Sequence, residues 1–100
     1  LSIQSLQGGD MKTFEPFKAV TMAEGFDEVL TREWDANHET PVHEHPFEDF
    51  GFIVKGEFWL TVDGKVTHLH QGDTFRVARH KPHQEKYGPH GASLWIARMN

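Results

Sequence analysis

The chain has 100 residues, 37% of them hydrophobic and 25% charged, with a formal net charge of −5 and no cysteine. That is one domain with a modest core, burying roughly two-thirds of the unfolded chain's surface. An acidic balance without any Lys/Arg run argues against nucleic acid as a partner, the missing cysteine excludes disulfides, thiolate metal sites and a catalytic thiol, and no apolar stretch approaches the ~18 residues of a membrane span.

Residues 1–10 (LSIQSLQGGD) are polar, end in Gly-Gly-Asp and precede Met11. They read as a leader peripheral to a domain over residues 11–100, and they lack the basic and apolar regions of a signal peptide. A cytoplasmic protein is expected. Helical periodicity is weak, and Thr21–Phe26 predicts one short turn at most. The rest reads as short strands between turn residues, an all-β pattern. Phe26–Ala36 is the first strand, Asn37–Val42 a loop, and Phe47–Lys55 a strand stopped by Gly56. Glu57–Val62 alternates Phe58, Leu60 and Val62 on one face. Asp63-Gly64 tolerates the positive φ of a two-residue hairpin turn, so Lys65–His70 returns antiparallel. Gln71-Gly72-Asp73 turns again into Thr74–Ala78, and Arg79–Pro82 is a loop. His83–Tyr87, a turn at Gly88–Gly91, and Ala92–Met99 complete seven or eight strands. Such a chain must hide its edges, as a sandwich, jelly roll or barrel does.

His43 and His45 form a His-x-His pair, followed by Glu48 and Asp49, with His83 one long hairpin further on. Residues two apart on a strand share a face, roughly 6.5–7 Å apart, so both imidazoles are able to lean onto one ion. A carboxylate with imidazoles suits a first-row divalent metal. The second pair, His68 and His70, lacks a following acid and reads as a polar stripe; His38 and His90 read as surface residues.

The stretch HEHPFEDFGFIVKGEF (43–58) resembles the first motif of the cupins, with His43, His45 and the turn glycine Gly56 in place. GDTFRVARHKPH (72–83) resembles the second, with Gly72-Asp73 at the turn, Pro82, and His83 as the motif histidine. The resemblance implies a small antiparallel jelly-roll β-barrel holding a metal through three histidines and one carboxylate. The chain departs from the motifs twice. Asp49 stands where the family has glutamate, and Ala78 and His80 replace a proline and a glycine. Parity puts Asp49 inward with positions 51 and 53, and Glu48 outward unless a bulge intervenes. Glu48 as the ligand, or a site of three histidines alone, stays open as an alternative. Without the glycine, the Arg79–Pro82 loop is free to run differently and to bring His80 to the barrel mouth.

The expected ligand set is His43, His45, Asp49 and His83 around Fe, Mn, Ni, Co or Zn, with catalytic residues unassigned. Arg76, Arg98, Gln84 and Tyr87 are candidates to orient an anionic or carbonyl group. His80, Tyr87 or the non-ligating member of Glu48/Asp49 are candidates for a base. Phe47, Phe50, Phe52, Phe58, Phe75 and Trp95 are the expected core, while Phe52, Trp59 and Trp34 are candidates for a homodimer face. Two functions follow: a small metal-dependent oxygenase, isomerase or lyase acting on an oxygenated small molecule, or a non-catalytic binding or sensing cupin whose metal is structural or absent. Neither reading includes a nucleic-acid or membrane partner.

Overall fold

The structure, a computed structural model, describes residues 13–100. The leader expected at residues 1–10 lies outside them. Helix α1 (Phe14–Ala23) is followed by strands β1 (Glu28–Trp34), β2 (Glu48–Val62), β3 (Lys65–His70), β4 (Thr74–Val77) and β5 (His83–Met99). All the strand pairings are antiparallel, in the order β1-β5-β2-β3 with β4 also on β2. The fold is all-β, as the short-strand pattern predicts, and is the jelly-roll barrel that the cupin resemblance implies.

Five strands, two of them long, replace the seven or eight expected. The glycines predict a stop at Gly56 and a turn at Gly88–Gly91, but β2 and β5 continue through them. Gly56 has φ +84° and Gly91 φ +68°. The β2–β5 register shifts at Gly56/Phe58. A bulge at a positive-φ glycine bends a strand without ending it. Each of the two long strands therefore serves both ends of the barrel. A side chain on Gly56 would collide with the Gly91 carbonyl. Gly56→Ala is expected to cost about 2 kcal/mol, from the clash and the left-handed backbone together, read from urea unfolding.

Helix α1 is longer than the single turn expected and lies further upstream. Phe14, Phe17 and Thr21 recur at helical spacing, and Pro16 sits in the first turn, where its missing N–H costs nothing. Phe17 is fully buried, its ring 6.1 Å from Phe50 and 5.6 Å from Trp95. Two cores result. Inside the barrel lie Ile53, Phe58, Leu60, Leu69, Val77, Tyr87, Leu94 and Ile96. Outside, under the helix, lie Phe17, Phe26, Phe50 and Ala97, with Phe52 and Trp95 packed against them. Alternation along β2 sends Phe50 and Phe52 to the helix and Asp49, Gly51 and Ile53 inward. Among the described residues no helix is long and apolar enough to cross a membrane.

Candidate metal centre

His43 and His45 do not sit on a named strand. They lie on an extended segment held against the start of β5. His43 and His83 exchange both backbone hydrogen bonds at 2.9 Å, and the His80 N–H donates to the His45 carbonyl at 2.9 Å. The Arg79 guanidinium donates to the carbonyls of Pro46, at 3.1 Å, and Met99, at 2.8 Å. This lacing brings His43, His45 and His83 together, with one ring nitrogen of each within 4.8 Å of the others. His83 is 3% exposed.

Each ring is oriented by the same device. Nδ1 of His43 donates to the Pro41 carbonyl at 2.8 Å, that of His83 to Lys81 at 2.8 Å, and that of His45, more loosely, to Phe47 at 3.4 Å. A carbonyl only accepts, so in the neutral ring the proton sits on Nδ1 and Nε2 keeps a free lone pair. Outer hydrogen bonds of this kind set the tautomer of metal-binding histidines.

What those lone pairs face is the informative part. His45 Nε2 is 3.2 Å from Asp49 Oδ2. Glu85 Oε2 is 3.5 Å from His83 Nε2 and 3.7 Å from His43 Nε2. The His45–Asp49 contact looks like an ion pair, but burial holds His45 below its usual 6.5, against the hydrogen bond to Phe47 that raises it. Burial likewise pushes Asp49 up from 3.8 to about 6, despite the opposing pull of Arg98. Near neutral pH the contact is thus an imidazole lone pair against a carboxylate, two acceptors face to face. A cation between them resolves that conflict, and the buried Asp49 Oδ1 has no hydrogen-bond partner either. The donor set fits a divalent metal, nitrogen-rich with oxygen beside it.

A cavity of about 290 Å³ opens onto the site, lined by His43, His45, Phe47, Asp49, Glu85 and Tyr87 among others. A family model described as the cupin domain matches residues 31–87.

The chain belongs to the cupin family. Solved structures agree. An RmlC-like cupin from Shewanella frigidimarina is 30% identical with a TM-score of 0.65, over 74% of this chain and 66% of that one. The cupin domain of Schizosaccharomyces pombe Cnp3 is 21% identical with a TM-score of 0.67, over 75% of this chain and 60% of that one. A predicted oxalate decarboxylase from Thermotoga maritima is 15% identical with a TM-score of 0.65, over 79% of this chain and 70% of that one. This cupin thus spans under two-thirds of the length of the first two. No curated protein matches it.

Several expected residues lie elsewhere in this cupin. Glu48 points outward and pairs with Arg76, as parity required, which takes both away from the cavity. Gln84 lines a groove on the outer surface with Trp59 and Val66. His80 is exposed and faces Glu44 at 3.3 Å. It adopts φ +60° in place of the family's glycine, so the loop keeps its sharp turn and does not bring His80 to the mouth. Tyr87 does reach the cavity, but as a donor, its hydroxyl 2.6 Å from Glu85 Oε1. Burial raises its pKa far above neutral, so it is no base. Trp34 is no outward face residue; it lines the cavity, its ring 5.2 Å from that of Tyr87. Phe47 is not core but stacks on His45 at 4.2 Å. His68 stacks on Trp59 outside, and its Nε2 meets Glu57 at 2.7 Å, remote from the three histidines.

Glu85 and Arg32 were missed. Glu85 follows His83 by two residues and Tyr87 follows Glu85 by two, so one strand face carries all three. That spacing was available in the sequence. Arg32 gave no signal until β1 was paired with β5.

Proposed function

We propose that the protein is a metal-dependent cupin enzyme acting on an oxygenated small molecule. The metal is held by His43, His45, His83 and Asp49, and Fe, Mn, Ni, Co and Zn all suit that set. The observation that carries this reading is the set of free Nε2 lone pairs turned toward carboxylates in a cavity open to solvent. The three histidines are the residues whose ligand atoms lie within 4.8 Å of one another, and Asp49 is the preferred oxygen donor beside them, because its Oδ2 lies 3.2 Å from a ring nitrogen while Glu85 Oε2 stays at 3.5 Å or more.

A bound divalent metal supplies Lewis acidity toward a carbonyl or a coordinated water. The chain's own residues do the rest. Phe47 and Phe75 give the cavity an apolar lining. The Tyr87 hydroxyl fixes Glu85 so that Oε2 faces His43 and His83, where it is placed to accept a proton from a bound ligand. The non-catalytic reading predicts a closed centre. Titration of the protein with Co(II), followed by azide, separates the two. One equivalent of cobalt with an azide-shifted visible spectrum supports an open enzyme site. A spectrum indifferent to azide supports the binding module, and no cobalt uptake rejects the metal altogether.

A homodimer in the cytoplasm remains part of the proposal. Its surface candidate is now the outer groove at Trp59, with Val66 58% exposed on edge strand β3. Light scattering at ~11.5 kDa would count against it.

A further inference from the structure

Two guanidinium groups in the cavity have no part in holding the metal. Arg32 stands on the inward row of β1 with Leu30 and Trp34, opposite Leu94 of β5. Arg98 stands on the inward row of β5, opposite Asp49 of β2. Arg98 has only long ion-pair contacts, and Arg32 has none among the described residues. Arg98 Nε is buried without a hydrogen bond; it lies 3.8 Å from Asp49 Oδ1, and Nη1 is 3.6 Å from Glu28. Its Cζ rests 4.5 Å over the Phe47 ring. Arg32 has no ion pair among the described residues and lies 5.6 Å from the Trp34 ring centre. By contrast, Arg76 on the outer surface is paired with Glu48.

We propose that the cavity takes a small carboxylate ligand, its carboxylate seated between Arg32 and Arg98 and its other end toward the three histidines. Arginine stays charged at any working pH, and its planar fork matches a carboxylate in a bidentate way. Before a metal binds, the two arginines balance Asp49 and Glu85. A divalent cation leaves the cavity with excess positive charge, which an anion offsets. The walls at Trp34, Phe75 and Leu94 are apolar and accept a short carbon chain. At about 290 Å³ the cavity sits at the low end of the ~300–1,000 Å³ typical of ligand pockets, so the chain is short. The direction of the ligand rests on the metal reading, but the arginine pair does not.

The test is calorimetric titration of malonate, and of neutral malonamide, into the protein loaded with Zn²⁺ and into the protein after chelation. Malonate is expected to bind the loaded protein and malonamide is not. Arg32→Gln and Arg98→Gln are each expected to weaken malonate by at least about tenfold, while Arg32→Gln keeps full zinc content and Arg76→Gln behaves as the parent. Arg32 is exposed, so its variant keeps the test decisive if Arg98→Gln fails to fold. Arginine-dependent malonate binding to a protein that takes up no zinc would overturn the metal reading and leave this proposal standing. Equal binding of malonamide, unchanged malonate affinity in Arg32→Gln, or no malonate binding to zinc-loaded protein would overturn it.

Discussion

His45→Ala is expected to lower metal affinity by more than the ~10–100-fold seen when only an outer partner of a metal ligand is lost. His68→Ala is expected to leave it unchanged. The two residues make a fair comparison, because each belongs to a His-x-His pair and each Nε2 faces a carboxylate, His45 at 3.2 Å from Asp49 and His68 at 2.7 Å from Glu57. They differ in company. His45 has His43 and His83 around it, the His83 ring centre 4.9 Å away. His68 stacks on Trp59 and has only His70 as a neighbouring ring. One nitrogen and one exposed carboxylate do not retain a divalent ion through dialysis, whereas three convergent nitrogens do. Elemental analysis after dialysis against a weak chelator reads the outcome. Equal metal content in parent and His45→Ala would remove the three-histidine centre.

The barrel was legible because its strands alternate and its turns use the residues that turns demand. Lys65–His70 and the Asp63-Gly64 tip stand where the pattern put them, with Asp63 at φ +53° and Gly64 at φ +75°. What misled was glycine. Local chemistry at Gly56 and Gly91 permits either a turn or a bulge, and only the strand opposite decides. The helix was missed for a related reason. Its inner face, Phe14, Phe17, Val20 and Thr21, is short, includes a polar threonine and has Pro16 within its first turn. Its stability comes from packing on Phe50 and Trp95, which are far away in sequence.

The histidines were visible through spacing, and the inward aim of Asp49 through parity on β2. Parity also separated Glu48 from the cavity. It failed where the residues were not on a regular strand. The His43–His45 segment is positioned by a pair of backbone bonds with His83 and one from His80, and no periodicity announces that. The expectation for His80 failed because a residue at φ +60° pays a small conformational cost and still makes the family's turn. Trp34 and Arg32 became site residues only through the pairing of β1 with β5, since nothing local distinguishes an inward tryptophan from an outward one.

Asp49→Asn is expected to stabilise the metal-free protein at pH 7.5 and at the same time to weaken metal binding. Burial raises Asp49 from 3.8 to about 6 in the folded state. Between those values the folded protein holds a proton that the unfolded chain has released. Stability from this group therefore falls as pH rises from about 4 to about 6, and the full penalty applies above that. At ~1.36 kcal/mol per pH unit it amounts to about 3 kcal/mol as an upper figure. Asparagine has the same shape and no charge to bury. The variant is expected to melt several degrees higher at pH 7.5, at roughly 4–8 °C per kcal/mol for a domain of this size, and to match the parent near pH 4. His45 is present in both proteins, so its own opposite slope cancels to first order. A bound cation inverts the preference, because it stabilises the carboxylate that burial disfavours. Thermal unfolding with and without Zn²⁺ then shows whether the curves cross. A lower melting temperature for metal-free Asp49→Asn at pH 7.5 would mean the carboxylate is already satisfied by Arg98, and its placement at the metal would lose its support.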